Sequence, residues 1–209
     1  MPLIFQEKFS EFEIAVWRIN EDENFFRLQL QLSEEEKIFL QNIKAPNKRL
    51  EWLASRHLIR SLLKTDLFID SNFKQKGKPE LLSHKKEISI SHSSGVCAVI
   101  VSEKKAGVDI ELLGRNVSSM AHKFISDEEK KNRELTGDEL LFIWCVKECL
   151  FKLYAKGGVD FQRDLFAELP IEKSGISKAE IRKTDFSKTL TIYHRIIENN
   201  FLLCWTVDN

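Results

Sequence analysis

The chain has 209 residues, 43% of them apolar and 31% charged, and its 32 basic side chains balance 32 acidic ones. That length suffices for one domain with a proper core or for two small lobes, while zero net charge excludes a global attraction to nucleic acid or to an anionic membrane. No run approaches the roughly twenty apolar residues of a membrane span, and the opening Met-Pro-Leu-Ile-Phe-Gln-Glu-Lys lacks the blocks of a signal peptide, so a cytoplasmic protein is expected.

Residues 13–19 alternate through Ile14, Val16 and Trp17 as a strand. Ser33 with Glu36 forms a capping box that opens a short helix to about Lys44. Pro46 starts a longer helix to about Lys64, with Leu50, Leu53, His57, Leu58 and Leu62 on its apolar stripe and Lys48, Arg49, Arg56 and Arg60 on its polar side. Asn72 to Pro79 is a basic loop containing Lys76-Gly77-Lys78-Pro79. Ile88 to Ser93 reads as a strand ending at a Ser-Gly turn, and Val96 to Val101 as a second, buried strand.

Gly107-Val108-Asp109-Ile110-Glu111 has strand character and carries two carboxylates two residues apart. Alternation places Val108, Ile110 and Leu112 toward a core and Asp109 with Glu111 on the opposite face. An isolated pair of this kind is usually a solvated strand face. Two carboxylates on one strand also repel each other unless a cation lies between them, and Mg²⁺ is commonly held by one or two carboxylates plus substrate phosphates. The short connection from Val101 predicts that His92, Asp109 and Glu111 stand on neighbouring strands of one sheet.

Ser126 and Glu129 make another capping box, with a helix fading near Thr136-Gly137. Asp138 is expected to cap the strongest helix, about 139–156, closed by Gly157-Gly158. Its segment Trp144-x-x-Lys147-Glu148-x-x-x-Lys152 sets Trp144, Glu148 and Lys152 on one face with Lys147 beside them. Strands follow at about 165–169, 179–185, 188–197 and 200–207, the last two as a hairpin around Glu198-Asn199-Asn200. Cys97, Cys145, Cys149 and Cys204 lie in apolar surroundings without C-x-x-C spacing, which favours reduced core packing over metal ligation or a disulfide.

A weak internal repeat relates Trp52-x-x-x-Arg56-x-Leu58-x-Arg60 to Trp144-x-x-x-Glu148-x-Leu150-x-Lys152. It also relates Ile90-Ser91-His92 with Val96-Cys97 to Ile192-Tyr193-His194 with Leu203-Cys204. Both matches occur in the same order, favouring two related lobes. Asp109, Glu111 and Glu148, joined by Lys147, Lys152, His92, Arg49, Arg56 and the 76–79 loop, offer oxygen ligands for Mg²⁺ and cations for phosphate. No P-loop, Rossmann glycine pattern or nucleophile elbow is present.

Gly77-Lys78-Pro79, Ile90-Ser91-His92-Ser93, Gly107-Val108-Asp109-Ile110-Glu111 and Trp144-x-x-Lys147-Glu148-x-x-x-Lys152 together resemble, in order and spacing, the motif series of Sfp-type phosphopantetheinyl transferases. The resemblance covers about residues 48–152. It implies an α+β fold built as a pseudo-dimer of two similar lobes, 1–104 for coenzyme A phosphate and adenosine contacts and 105–209 for metal binding and catalysis. It assigns Asp109, Glu111 and Glu148 to Mg²⁺; Ser91 and His92 to a coenzyme A phosphate; Lys78 and Pro79 to the adenosine end; Arg49 and Arg56 to the 3′-phosphate region; and Lys147 and Lys152 to the pyrophosphate. Cys149 stands where the family usually has a small Ala or Ser.

The implied reaction transfers phosphopantetheine from coenzyme A to a serine of an acyl or peptidyl carrier protein and releases adenosine 3′,5′-bisphosphate. Glu148 is the expected general base, directly or through a metal-bound water, and Lys152 orients it. The carrier protein is the expected partner, met through Phe124 and Ile125 unless these pack in the core; no nucleic acid or membrane is expected, and a monomer suffices. A Mg²⁺-dependent hydrolase of a nucleotide pyrophosphate would use the same acids without a partner surface. A non-catalytic coenzyme A or carrier-protein binding module would have no need of the three acids.

Overall fold

The computed structural model describes residues 2–64, 80–81, 85–170 and 172–208, and the chain divides into two compact units, Met1–Glu103 and Lys104–Asn209. The fold is α+β: each unit packs an 18-residue helix against an antiparallel sheet.

In the first unit the strands are β1 (Leu3–Lys8), β2 (Phe12–Arg18), β3 (Glu87–Ser93) and β4 (Val96–Ser102), in the order β1-β2-β4-β3. The N-terminal strand β1 and helix α1 (Glu23–Gln29), with Asp22 accepting from the Phe25 N–H as its cap, add elements that the sequence pattern left unread. Helix α2 (Glu34–Asn42) begins at the expected Ser33 and Glu36 capping box. Helix α3 (Pro46–Leu63) has proline in its first turn, where a missing N–H is harmless, and ends at Lys64 in the left-handed region. Its buried stripe of Leu53, Ala54, Leu58, Ile59 and Leu62 lies on β4 and β2, and the hairpin joining β3 to β4 turns at Ser94 and Gly95 with positive φ at both.

The second unit holds β5 (Ala106–Leu112), a 3₁₀ turn at Ser118–Lys123, α4 (Asp127–Lys130), α5 (Gly137–Tyr154), β6 (Leu165–Ala167), β7 (Gly175–Arg182), β8 (Ser187–Ile197) and β9 (Phe201–Val207). Its sheet runs β5-β9-β8-β7-β6. The β8–β9 hairpin turns at Glu198 and Asn199, as the sequence suggested. Helix α4 is only four residues long. The cap of α5 is Thr136, in a box with Glu139, rather than Asp138, and the helix closes at Ala155 before the two glycines. Thr136 wins because its hydroxyl accepts from the N–H of Glu139 while that carboxylate returns to the Thr136 N–H, satisfying two terminal donors at once.

One topological expectation fails. His92 lies on β3 in the four-stranded sheet, whereas Asp109 and Glu111 lie on β5 in the five-stranded sheet. Strand β4 is already flanked by β2 and β3, so both its edges are occupied. The next strand must pair elsewhere, and β5 takes β9, with Asp109 opposite Cys204 and Glu111 opposite Leu202.

Candidate active site

The acids of β5 are covered by α5. Asp109 and Glu111 are only 4% and 5% exposed, and two long side chains of the helix, Lys152 and Trp144, reach down to their strand. Lys152 Nζ donates to Asp109 Oδ1 at 2.8 Å and to the Val108 carbonyl at 2.9 Å. Trp144 Nε1 donates to Glu111 Oε1 at 3.0 Å, and the Arg115 guanidinium pairs with the same oxygen. Arg115 is held near by the turn that leaves β5, where its N–H donates to the Leu112 carbonyl and Gly114 adopts a positive φ. Gly107 shares the acid face by alternation and lies against the α5 backbone at Cys149.

Half-buried Glu148 belongs to the same neighbourhood. Burial raises its carboxyl to a pKa of about 7, the charges of Asp109 and Glu111 push the same way, and Lys152 and Arg115 only partly offset them. A carboxyl that exchanges its proton near neutrality is suited to accept one from a hydroxyl. For Lys152 burial opposes the ammonium, but the charge and hydrogen bond of Asp109, with Cys149 and Glu148, prevail and lift its pKa.

Lys147 is elsewhere. Its side chain is fully buried, and Nζ donates to the Phe124 carbonyl at 2.5 Å, Glu129 Oε2 at 2.8 Å and the Phe161 carbonyl at 2.8 Å, occupying all three ammonium donors. The expectation that it faces a pyrophosphate is therefore corrected: it closes a structural pair. Burial lowers its pKa against the pull of Glu129. Glu129 was read as a cap alone; it also accepts from the Ala167 N–H at 3.0 Å and so joins α4, α5 and β6. The clue was available, because Lys147 is flanked by Ile143 and Leu150 on the buried side of the helical wheel.

In the first unit, Arg56 is likewise buried rather than on the polar side of its helix. Its guanidinium lies 3.8 Å over the Trp52 ring and 3.8 Å from Glu36, and burial lowers its pKa to about 9. Arg49 remains half-buried and bonds Glu23 Oε2 at 2.9 Å. Ser91 is buried on β3, and His92 Nε2 stands 3.0 Å from the Glu51 carbonyl. Lys78 and Pro79 lie outside the described residues. Phe124 and Ile125, 0% and 3% exposed, pack in the core of the second unit, which removes them as partner contacts. All four cysteines are buried free thiols.

Asp109, Glu111 and Glu148 are the residues that could hold a metal. Their hard oxygen donors suit Mg²⁺, and the repulsion by Asp109 and Glu111 that adds to burial in raising Glu148 is what a divalent cation would relieve. Among the described residues, no group of three or more His, Cys, Asp or Glu side chains is arranged to hold a metal ion as it stands. Lys152 on Asp109, and Arg115 with Trp144 on Glu111, take the places nearest the acids.

Residues 105–206 match the model of the 4'-phosphopantetheinyl transferase superfamily. The similarity to that superfamily covers 102 of the 209 residues. The match spans all the site groups of β5 and α5. No curated protein matches the chain. Among the described residues no helix is long and apolar enough to cross a membrane.

Proposed function

We propose that this protein is an Sfp-type 4′-phosphopantetheinyl transferase that moves the phosphopantetheine group of coenzyme A to a serine of an acyl or peptidyl carrier protein. The observation that carries the reading is the convergence of Glu148 with Asp109 and Glu111, its proton affinity raised toward neutrality, inside the segment matching the superfamily. Asp109, Glu111 and Glu148 are the proposed ligands of Mg²⁺, which when bound would neutralise charge on the diphosphate.

The serine oxygen attacks the β-phosphorus, forming a P–O bond while the bond to the bridging oxygen breaks and adenosine 3′,5′-bisphosphate leaves. Glu148 accepts the serine proton at a carboxylate oxygen, directly or through one water. Lys152 keeps its charge at neutral pH and stabilises negative charge on the transferred group. Trp144 fixes Glu111 through its indole N–H. Arg49, Ser91, His92, Lys78 and Pro79 are the proposed coenzyme A contacts; buried Arg56 and Lys147 are not retained in that role. The 18-residue helix on an antiparallel sheet in each unit supports the reading of the chain as two related lobes. Four buried free thiols fit a reducing compartment, and we place the protein in the cytoplasm as a monomer.

The test incubates apo-carrier protein with coenzyme A, Mg²⁺ and this protein and weighs the carrier by mass spectrometry. One added phosphopantetheine is expected, abolished by a chelator and by Asp109→Ala. Coenzyme A cleavage with an unmodified carrier would favour a hydrolase instead.

A further inference from the structure

Strand β5 comes very close to the backbone of α5 at Gly107. A Cβ built there would fall 1.9 Å from the Cys149 carbonyl oxygen and 2.8 Å from its carbonyl carbon. The obstacle is helix backbone, which has no alternative rotamer, so any larger residue must push α5 off the strand by about 1 Å. Gly107 is not among the positive-φ glycines, and its requirement is therefore steric. By contrast, a Cβ at Gly137, in the first turn of the same helix, would meet nothing within 4 Å.

The contacts that join helix to strand are short and would not survive such a retreat. Lys152 reaches the Val108 carbonyl and Asp109 at 2.9 Å and 2.8 Å, and Trp144 reaches Glu111 at 3.0 Å. Gly107, Asp109 and Glu111 lie on one face of the strand, so a single row supplies both the gap that admits the helix and the two acids facing it.

Resting on the transferase reading above, we propose that Gly107 is a positioning residue: the missing side chain lets α5 settle on β5 so that the helix acid and the two strand acids can share one divalent cation. The experiment titrates Mg²⁺ into the intact protein and follows thermal unfolding, comparing wild type, Gly107→Ala and Leu190→Ala, a core truncation on β8 at a 1% exposed site. Gly107→Ala should raise the Mg²⁺ concentration for half-maximal stabilisation about 10-fold or more, the range seen when groups supporting metal ligands are lost. Leu190→Ala should lower the melting temperature without moving that midpoint. An unchanged midpoint in Gly107→Ala overturns the proposal, whereas a wild-type protein that ignores Mg²⁺ overturns the transferase reading itself. If Gly107→Ala yields no folded protein, Trp144→Phe carries the test from the other end of the contact. It removes the indole donor to Glu111 together with part of the ring that packs on Phe124 and Phe161, and should raise the midpoint beyond any shift that accompanies the loss of melting temperature in Leu190→Ala; an unchanged midpoint again overturns the proposal.

Discussion

Lys147 and Lys152 stand five residues apart on the same helix, and each donates to a carboxylate at 2.8 Å. The Lys147–Glu129 pair is sealed, with both side chains 0% exposed, and every donor and most acceptors are satisfied by the fold. The Lys152–Asp109 pair is 22% and 6% exposed and has half-buried Glu148 as an unreconciled neighbour. Burial pulls both ammonium groups down; it prevails at Lys147, while the acids around Lys152 overcome it and raise the pKa. The contrast separates a pair that holds the fold from one arranged for chemistry: in the first, charge is fully compensated, and in the second an excess of acid remains.

Breaking the sealed pair should have the largest effect. Lys147→Met leaves Glu129 buried without its cation and should cost about 3–5 kcal/mol of stability, read from urea unfolding. The transfer rate per folded molecule should change little. A stable Lys147→Met protein that cannot transfer would instead return Lys147 to the substrate.

The open pair should behave in the reverse manner. Lys152→Met should reduce the transfer rate about 100-fold while costing less stability than Lys147→Met, because its pair is partly open to solvent. Steady-state kinetics beside urea unfolding of the same preparation check both halves. Arg56→Met sharpens the contrast in the first unit: loss of a buried cation whose partner Glu36 is a loose 3.8 Å away should cost about 2 kcal/mol, with the KM for coenzyme A unchanged. A raised KM at full stability would mean that Arg56 meets the substrate after all.

Much of this was legible in the chain, and what was not has local causes. The capping box at Ser33, the proline start of α3, the Ser94-Gly95 turn and the strand carrying Asp109 and Glu111 were readable because each depends on residues within a few positions of one another. The pairing of β5 with β9 was not, since it depends on which sheet edges other strands have filled. Leu112 was expected inside and is 38% exposed at the strand end, while Asp109 and Glu111, expected on the strand's opposite face, lie beneath α5. Motif spacing put Glu148 and Lys152 on one helix face, and both interact with the acids of β5. It grouped Lys147 with them because adjacency along the sequence hides the angular step of about 100° per residue that sends that side chain inward. Lys78 and Pro79 lie outside the described residues, so that part of the reading stays with the sequence.

A pH-dependent stability change at Glu148 is the most telling, because it ties the excess of acid to function. The Glu148 carboxyl binds its proton more tightly folded, with a pKa of about 7, than unfolded at 4.5, so its contribution to stability is fully present below about pH 4.5 and is lost as pH rises through 7. Glutamine at this position cannot ionise and escapes that penalty. Urea unfolding without metal should find Glu148→Gln more stable than wild type by about 1–2 kcal/mol at pH 8, after allowance for partial exposure, with the gap closing toward pH 5. The same variant should lose transfer at least about 100-fold. A variant that is less stable at pH 8, or that still transfers phosphopantetheine at the wild-type rate, would contradict the account.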